Sequence, residues 1–480
     1  MIFGIINVML AFIARIKIPL VIAAILIIAA IGLQSSGFTS EQTGATLIFL
    51  VILCGTLFYW KFRLAFAFAG VAILLGLKLI DIPHVIEYAG LDIIFFLVGM
   101  MTIVGYLEEN HFFEHLVAKI VDRVDGRAHL LIIILMGLSA FFAALVDEVT
   151  SILFMMSTVF HITKRYKINP APFLLMVVFA TNIGSSATAV GNPIGVMIAL
   201  RAHLSFADFL RWAAPISLIC LFITITLCLF LFRKPVEELC QKMKVTGDGT
   251  HELAAVHYTK AGIRICWILF LCTIVSLILH SNIEQMLHLE KNTLLIGTAL
   301  FFGAAAIFLK GDESRDFFMR RVDWWTLTFF LILFASVGTL KYVGVTGQIA
   351  RGMINLTGGG NVFLLNIFTS GICLLTAFMD NVLAVATFIP ILSDIAGHGV
   401  YIFPFWWAML FGGTLFGNAT IIGSTANIIA MGMYEKETGG HIKFMEWLRP
   451  GLIVSIITIV VSMALLYGQF HLMPGAPSRF

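Results

Sequence analysis

Ala180-Thr181-Asn182-Ile183-Gly184-Ser185-Ser186-Ala187-Thr188-Ala189-Val190-Gly191-Asn192-Pro193-Ile194-Gly195 interrupts a long apolar run. Phe416-Gly417-Asn418-Ala419-Thr420-Ile421-Ile422-Gly423-Ser424-Thr425-Ala426-Asn427 repeats its plan in the second half of the chain. Both carry Ala-Thr, two aliphatics, Gly, a short polar residue, then Pro or Thr. Such residues break helices and expose backbone carbonyls. In a membrane, broken backbone is tolerated only where it is buried in protein or lines a cavity. Two Gly/Pro-interrupted apolar segments at matching places in two halves are the sequence sign of a transporter's binding site.

The flanking composition supplies the membrane. Of 480 residues, 60% are apolar and 12% charged, and mean hydropathy is +1.00. A soluble globule carries about a quarter charged residues, so the chain reads as an all-α polytopic membrane protein with the lipid bilayer as its partner. A net charge of +3 is too small to suggest nucleic acid. The seven cysteines sit mostly inside apolar runs without metal or disulfide spacing and read as small apolar residues.

Apolar runs long enough to cross a core of about 30 Å fall near 18–33, 46–60, 63–80, 92–107, 172–200 and 209–232. The first reads as an uncleaved span, because no small-x-small cleavage site follows it. Residues 129–162 are too long for one crossing and carry Asp147-Glu148 near their middle between two basic flanks. They read as a re-entrant hairpin with its acids at the tip. The second half repeats the plan with spans near 263–280, 293–309, 325–345, 404–433 and 449–469 and a second hairpin at 362–395 carrying Asp380-Asn381.

Phe96 matches Phe329, Gly105 matches Gly338, Asp147 matches Asp380 and Val149 matches Val382. Ala187, Thr188 and Gly191 match Ala419, Thr420 and Gly423. A unit of five spans plus a hairpin is odd-numbered, so its copy must insert upside down. The expectation is about 11 transmembrane helices plus two re-entrant hairpins in two inverted-topology repeats. Residues 1–40 form an N-terminal helix and first span, 41–232 the first repeat, 233–262 a cytoplasmic linker and 263–480 the second repeat. With the N-terminus cytoplasmic and the C-terminus outside, the 30 Lys and Arg divide 23 inside to 7 outside, as the positive-inside rule asks. The hairpin tips are then expected to meet each other and the broken spans at the membrane midplane.

An ionised carboxylate at membrane depth costs roughly 2.5–3.5 kcal/mol by insertion scales. Asp147, Glu148 and Asp380 therefore read as cation or proton sites, against the plainer reading that they cap the broken helices. Asn182, Ser186, Thr188, Asn192, Asn381, Asn418, Thr420, Ser424, Thr425 and Asn427 offer hard oxygens to a small cation, and half-helix N-termini face an anion. Asp147, Asp380, Asn182 and Asn418 are the candidates for holding Na+. The plainer reading of the polar residues is small-residue helix packing. Gly358-Gly359-Gly360 lacks a following Lys-Ser/Thr and reads as a loop. Trp324-Trp325 and Trp406-Trp407 read as interfacial anchors.

With these motifs in order, Thr181 to Pro193, Phe378-Met379-Asp380-Asn381-Val382 and Gly417 to Asn427, the chain resembles the ion transporter superfamily over nearly its whole length. Within it the likeness is to the melanosomal P protein and its prokaryotic relatives of the arsenite-pump and NhaD types. The resemblance implies the two-hairpin, inverted-repeat fold of the divalent-anion/sodium symporters, a homodimer, an elevator-type movement, and a place in a prokaryotic inner membrane. Two departures stand out. The first hairpin has Asp147-Glu148-Val149 where relatives commonly have Asp-Asn-Val, and Gly191-Asn192-Pro193-Ile194 stands where they have Gly-Asp-Pro-Pro.

The expected function is secondary active sodium/proton antiport, with Na+ or H+ as coupling ion and no resident cofactor. The alternative is sodium- or proton-coupled transport of an anion or oxyanion, such as a dicarboxylate or arsenite. No Arg lies in either motif to clamp an anion. No nucleophile elbow or metal-ligand spacing suggests an enzyme.

Overall fold

The computed structural model describes residues 2–121, 127–246, 260–358 and 360–476. Arg123, linker residues 247–259, Gly359 and Arg479 lie outside the described residues, as do the side chains of Arg15, Lys17 and Lys260. Every regular element among the described residues is helical. Ten helices are long and apolar enough to cross a bilayer, or eleven if Pro193–Ala202 and Phe206–Trp212, bent by 108°, count as one span. The protein is an all-α polytopic membrane protein.

Local chemistry shifts some boundaries. The run at 63–80 forms only the 14-residue helix Arg63–Gly76, entered through a 3-10 turn at Trp60–Phe62 and followed by Lys78 in the left-handed region at φ 58°. The linker begins as the helix Arg233–Thr246. Val236, Leu239 and Met243 are buried along one side of it, while Lys242 Nζ donates to the Lys167 carbonyl at 2.8 Å. This periodicity of three and four residues turns a polar stretch into an amphipathic helix packed on Ala128–Leu145 and Ala214–Leu231.

The chain forms two compact units interleaved in sequence. One comprises Met1–Leu91, Trp324–Gly358 and Ile389–Gly399. Buried Arg63 donates to Thr326 Oγ1 at 2.7 Å, with its guanidinium 4.2 Å from the Trp60 ring centre and 5.0 Å from that of Phe329. Stacking on two rings keeps this cation in an apolar setting.

The other unit, Asp92–Asp323, Gly359–Phe388 and Val400–Phe480, holds hairpin 1, hairpin 2 as far as Phe388, and both broken spans. Hairpin 1 runs down Ala128–Leu145 and returns along Glu148–Arg165. Phe142 and Phe154 meet edge to face at 5.0 Å, and Ser151 Oγ donates to the Ser139 carbonyl at 2.9 Å. Hairpin 2 runs down Asn361–Phe378 and turns back at Asn381, with Phe368 and Phe388 edge to face at 5.2 Å. The first broken span is Ala171–Ser185 followed by Pro193–Ala202. The second is Phe403–Leu415 followed, after two 3-10 turns, by Thr425–Thr438.

The sequence repeat returns as contacts. A Cβ on Gly191 would lie 2.3 Å from the Ser185 carbonyl oxygen and 2.9 Å from that of Ala143. One on Gly423 would lie 2.6 Å from the Gly417 oxygen and 3.1 Å from that of Thr376. Each break thus folds against its own helix end and its own hairpin, and only glycine permits that approach. Gly105 lies against Arg321 and, in the other unit, Gly338 lies against Tyr88. Tyr88 and Arg321 are 233 positions apart, the same spacing as Gly105 and Gly338.

Candidate functional site

Each hairpin turns where its acid caps the returning helix. Asp147 adopts extended backbone, φ −178° and ψ 164°. Its Oδ1 accepts the N–H groups of Val149 at 2.7 Å and Thr150 at 2.9 Å, and its Oδ2 accepts the Thr150 hydroxyl at 2.7 Å. Both oxygens are therefore committed to the first turn of the helix. Asp380 Oδ1 accepts the Val382 N–H at 3.0 Å, and its Oδ2 accepts the Thr425 hydroxyl at 2.5 Å.

Thr188 and Thr420 hold the incoming arms. The Thr188 hydroxyl donates to the Ala144 carbonyl, and the Thr420 hydroxyl donates to the Ala377 carbonyl at 2.9 Å. The two acceptors lie three residues before Asp147 and Asp380. Asn192 and Ser424 cap the helices that resume each broken span, accepting from Gly195 N at 2.8 Å and Ala426 N at 3.2 Å. Four helix N-termini, each a partial positive charge, thus belong to the elements around the acids.

Glu148 sits at the centre with 2% of its surface exposed. Ser185 of the first broken span donates to its Oε2 at 3.2 Å, and Ser424 of the second donates to its Oε1 at 3.3 Å. Asp380, Asp147 and Asn381 all lie close enough to act on it electrostatically. Ser424 touches hairpin 1 through Glu148 while its neighbour Thr425 touches hairpin 2 through Asp380, so two consecutive residues join both tips. Among the described residues neither Asp147 nor Glu148 joins an ion pair. The fully buried Asn381 side chain ends beside Glu148, its Nδ2 without a partner meeting full hydrogen-bond geometry.

Asn182 pins the broken spans together. Its Nδ2 donates to Asn418 Oδ1 at 2.7 Å and Asn427 Oδ1 at 2.8 Å, and its Oδ1 accepts the Ser424 hydroxyl at 3.0 Å. Asn418 Nδ2 donates to the Phe179 carbonyl at 3.3 Å. Asn427 Nδ2 donates to the carbonyls of Gly417 and Thr420, each at 2.8 Å. Trp447 Nε1 donates to the Asn418 carbonyl at 3.1 Å.

The structure therefore gathers Glu148, Asn182, Asn192, Asp380, Asn381, Asn418, Ser424, Thr425 and Asn427 into one largely buried cluster, with Thr188 and Thr420 on its hairpin side, while half-buried Asp147 beside Glu148 bonds within the first turn of its own helix. Ser186 turns elsewhere, its hydroxyl donating to the Ile183 carbonyl at 2.7 Å and lying 2.7 Å from that of Ser217. Ser185 escaped the sequence reading because its repeat mate is Gly417, which has no side chain to match. Its Oγ also receives the Asn192 Nδ2 donor at 2.8 Å. Among the described residues no three His, Cys, Asp or Glu converge as a metal cluster.

Comparison with known proteins extends this geometry. The chain is 32% identical over 415 residues to a 46 kDa membrane protein of Mycobacterium leprae, covering 85% of this chain and 94% of that one. It is 30% identical over 416 residues, with the same coverage, to an uncharacterised transporter of Mycobacterium tuberculosis. It is 25% identical over 460 residues to the human P protein, covering 80% of this chain and 54% of that one. The family model described as citrate transporter matches residues 48–412 and, in an overlapping match, 349–476. The chain belongs to the citrate-transporter family of the ion transporter superfamily and is a secondary transporter.

Proposed function

We propose that the protein exchanges sodium, or a similar small cation, for protons, with Glu148 as the coupling acid and both tips moving in an elevator-type step. The observation that carries this reading is the double acceptor set of two hydroxyls. Ser185 lies within reach of Glu148 Oε2 and of the Asn182 carbonyl at 3.0 Å. Ser424 lies within reach of Glu148 Oε1 and of Asn182 Oδ1. Each hydroxyl has one proton to give. With Glu148 ionised both turn to its carboxylate; with Glu148 protonated both are released to Asn182, Ser185 within its own helix and Ser424 across to the first span, and the Ser424 bond tightens the pin between the broken spans. A small cation at Glu148 neutralises the carboxylate as a proton does, so cation and proton compete for one group. The empty ionised form is held back by the cost of moving a bare charge through low dielectric.

The same reading takes the basic flanks as cytoplasmic and the protein as a homodimer in a prokaryotic inner membrane. Reconstitution into vesicles with a trapped pH dye tests it: a Na+ pulse should drive proton movement opposite to the cation. No proton response to Na+, Li+ or K+ would remove it. A second reading, cation-coupled transport of a carboxylate anion, is favoured by the family's description and by the helix N-termini at the network. Citrate or a dicarboxylate added to the same vesicles would then give proton movement that Na+ alone does not.

A further inference from the structure

A groove of about 590 Å³ opens between the first arm of hairpin 2 and the last long helix, Phe444–Gln469. Its lips are Leu374, 60% exposed, and Val460, 62% exposed. Beyond them the same two helices present Phe363, Phe378 and Ile456, all exposed. In a polytopic membrane protein this is surface for lipid, and the groove is continuous with it.

The groove has a polar end and an apolar end. Asn366, in the second turn of Asn361–Phe378, and Tyr467, in the last turn of Phe444–Gln469, lie beside each other at one mouth. That mouth lies at the termini of both helices, where a bilayer's ester and headgroup region begins. Eleven residues deeper, roughly 16 Å along a helix at 1.5 Å per residue, the groove ends on Ala377 and Phe416. Ala377 is the residue whose carbonyl is held by Thr420, three residues before Asp380.

We propose that this groove is a binding site for one acyl chain of a bilayer phospholipid, its ester end at Asn366 and Tyr467 and its methyl end behind the tip of hairpin 2. A chain already dissolved in hydrocarbon gains little from burial. It is held by the dispersion contacts of a slot that would otherwise lack partner atoms on one side. Seated there, it stands between the arm that leads into Asp380 and the helix that carries Trp447, so it sets how far that arm can shift. The proposal does not depend on which ion the protein carries.

The test uses the full chain in phosphatidylcholine vesicles containing a fraction of lipid with a diazirine at mid-chain, irradiated and mapped by mass spectrometry. Adducts are expected on residues 373–377 and 459–464, several-fold above those at Phe222 and Phe308, which are exposed on other helices. They should fall to the level of those two positions in Ala464→Phe, which fills the slot, and in the independent filler Ser370→Leu. Unchanged labelling at Phe222 and Phe308 reports that each variant is still inserted in the bilayer. Even labelling of all lipid-facing helices in the wild type, or groove adducts that persist in both fillers, would overturn the proposal. So would Leu374→Cys forming a disulfide between two copies in place of lipid adducts, since a second copy would then occupy the face.

Discussion

Asn182 donates its side-chain amide to Oδ1 of Asn418 at 2.7 Å, a bond between residues 236 apart that ties the two broken spans to each other. The same side chain serves Asn427 and Ser424, so three buried polar partners depend on it. Leaving a buried partner unsatisfied costs about 1–3 kcal/mol. Asn182→Ala should therefore lower the unfolding midpoint in detergent well below that of Ser186→Ala, whose hydroxyl meets only Ser217 and its own helix. Equal shifts, measured by intrinsic fluorescence on heating, would show that the pin is not what holds the spans.

Glu148→Gln and Asp147→Asn should separate coupling from capping. Asn serves as an N-cap about as well as Asp, so Asp147→Asn should keep the fold and much of the proton exchange. Glu148→Gln keeps the shape and removes the exchangeable charge, so Na+-driven proton movement should disappear while the protein still folds. Asp147→Ala, which loses the cap, should cost about 0.5–2 kcal/mol of stability. Exchange surviving in Glu148→Gln but lost in Asp147→Asn would move the coupling role to Asp147.

Gly184→Ala should be severe where Gly297→Ala is benign. A Cβ at Gly184 would lie 2.2 Å from the Ala140 carbonyl oxygen and 2.3 Å from its Cα, whereas one at Gly297 meets nothing within 4 Å. Backbone cannot swing aside as a side chain can, so Gly184→Ala should force hairpin 1 away from the first broken span at a cost of at least about 1–3 kcal/mol. Gly297→Ala should be neutral or raise stability by about 0.4–1 kcal/mol. Expression and unfolding midpoint in matched detergent give the comparison.

Cys240 reports orientation. It is partly exposed on the amphipathic helix Arg233–Thr246, which leads into the segment with six of the chain's basic residues between 233 and 264. In a variant retaining only this cysteine, a membrane-impermeant maleimide should label inverted vesicles and miss intact cells. Labelling of intact cells instead would invert the assignment.

The membrane class, the hairpin turns at Asp147 and Asp380 and the breaks at Gly191 and Gly423 were legible in the sequence. Each is a local matter of apolar runs, charge at depth and residues that cannot continue a helix. The repeat was legible too, because matched residues such as Thr188 and Thr420 do the same job on Ala144 and Ala377. The short helix Arg63–Gly76 was less so, since hydropathy counts apolar residues through 80 without seeing that the helix ends at Gly76 and the chain turns at Lys78 in the left-handed region.

What only the tertiary structure decided is which polar groups face one another. Ser185 and Ser186 are adjacent and chemically identical, yet Ser185 joins Glu148 and Ser186 joins Ser217, because successive positions on a helix point about 100° apart. Glu148 has no acidic mate in the repeat, and sequence symmetry gave it less weight than Asp147. Its central place comes from two hydroxyls 239 positions apart, at 185 and 424. Sequence periodicity specifies which residues a helix buries, but the partner each one meets is fixed by how distant helices pack.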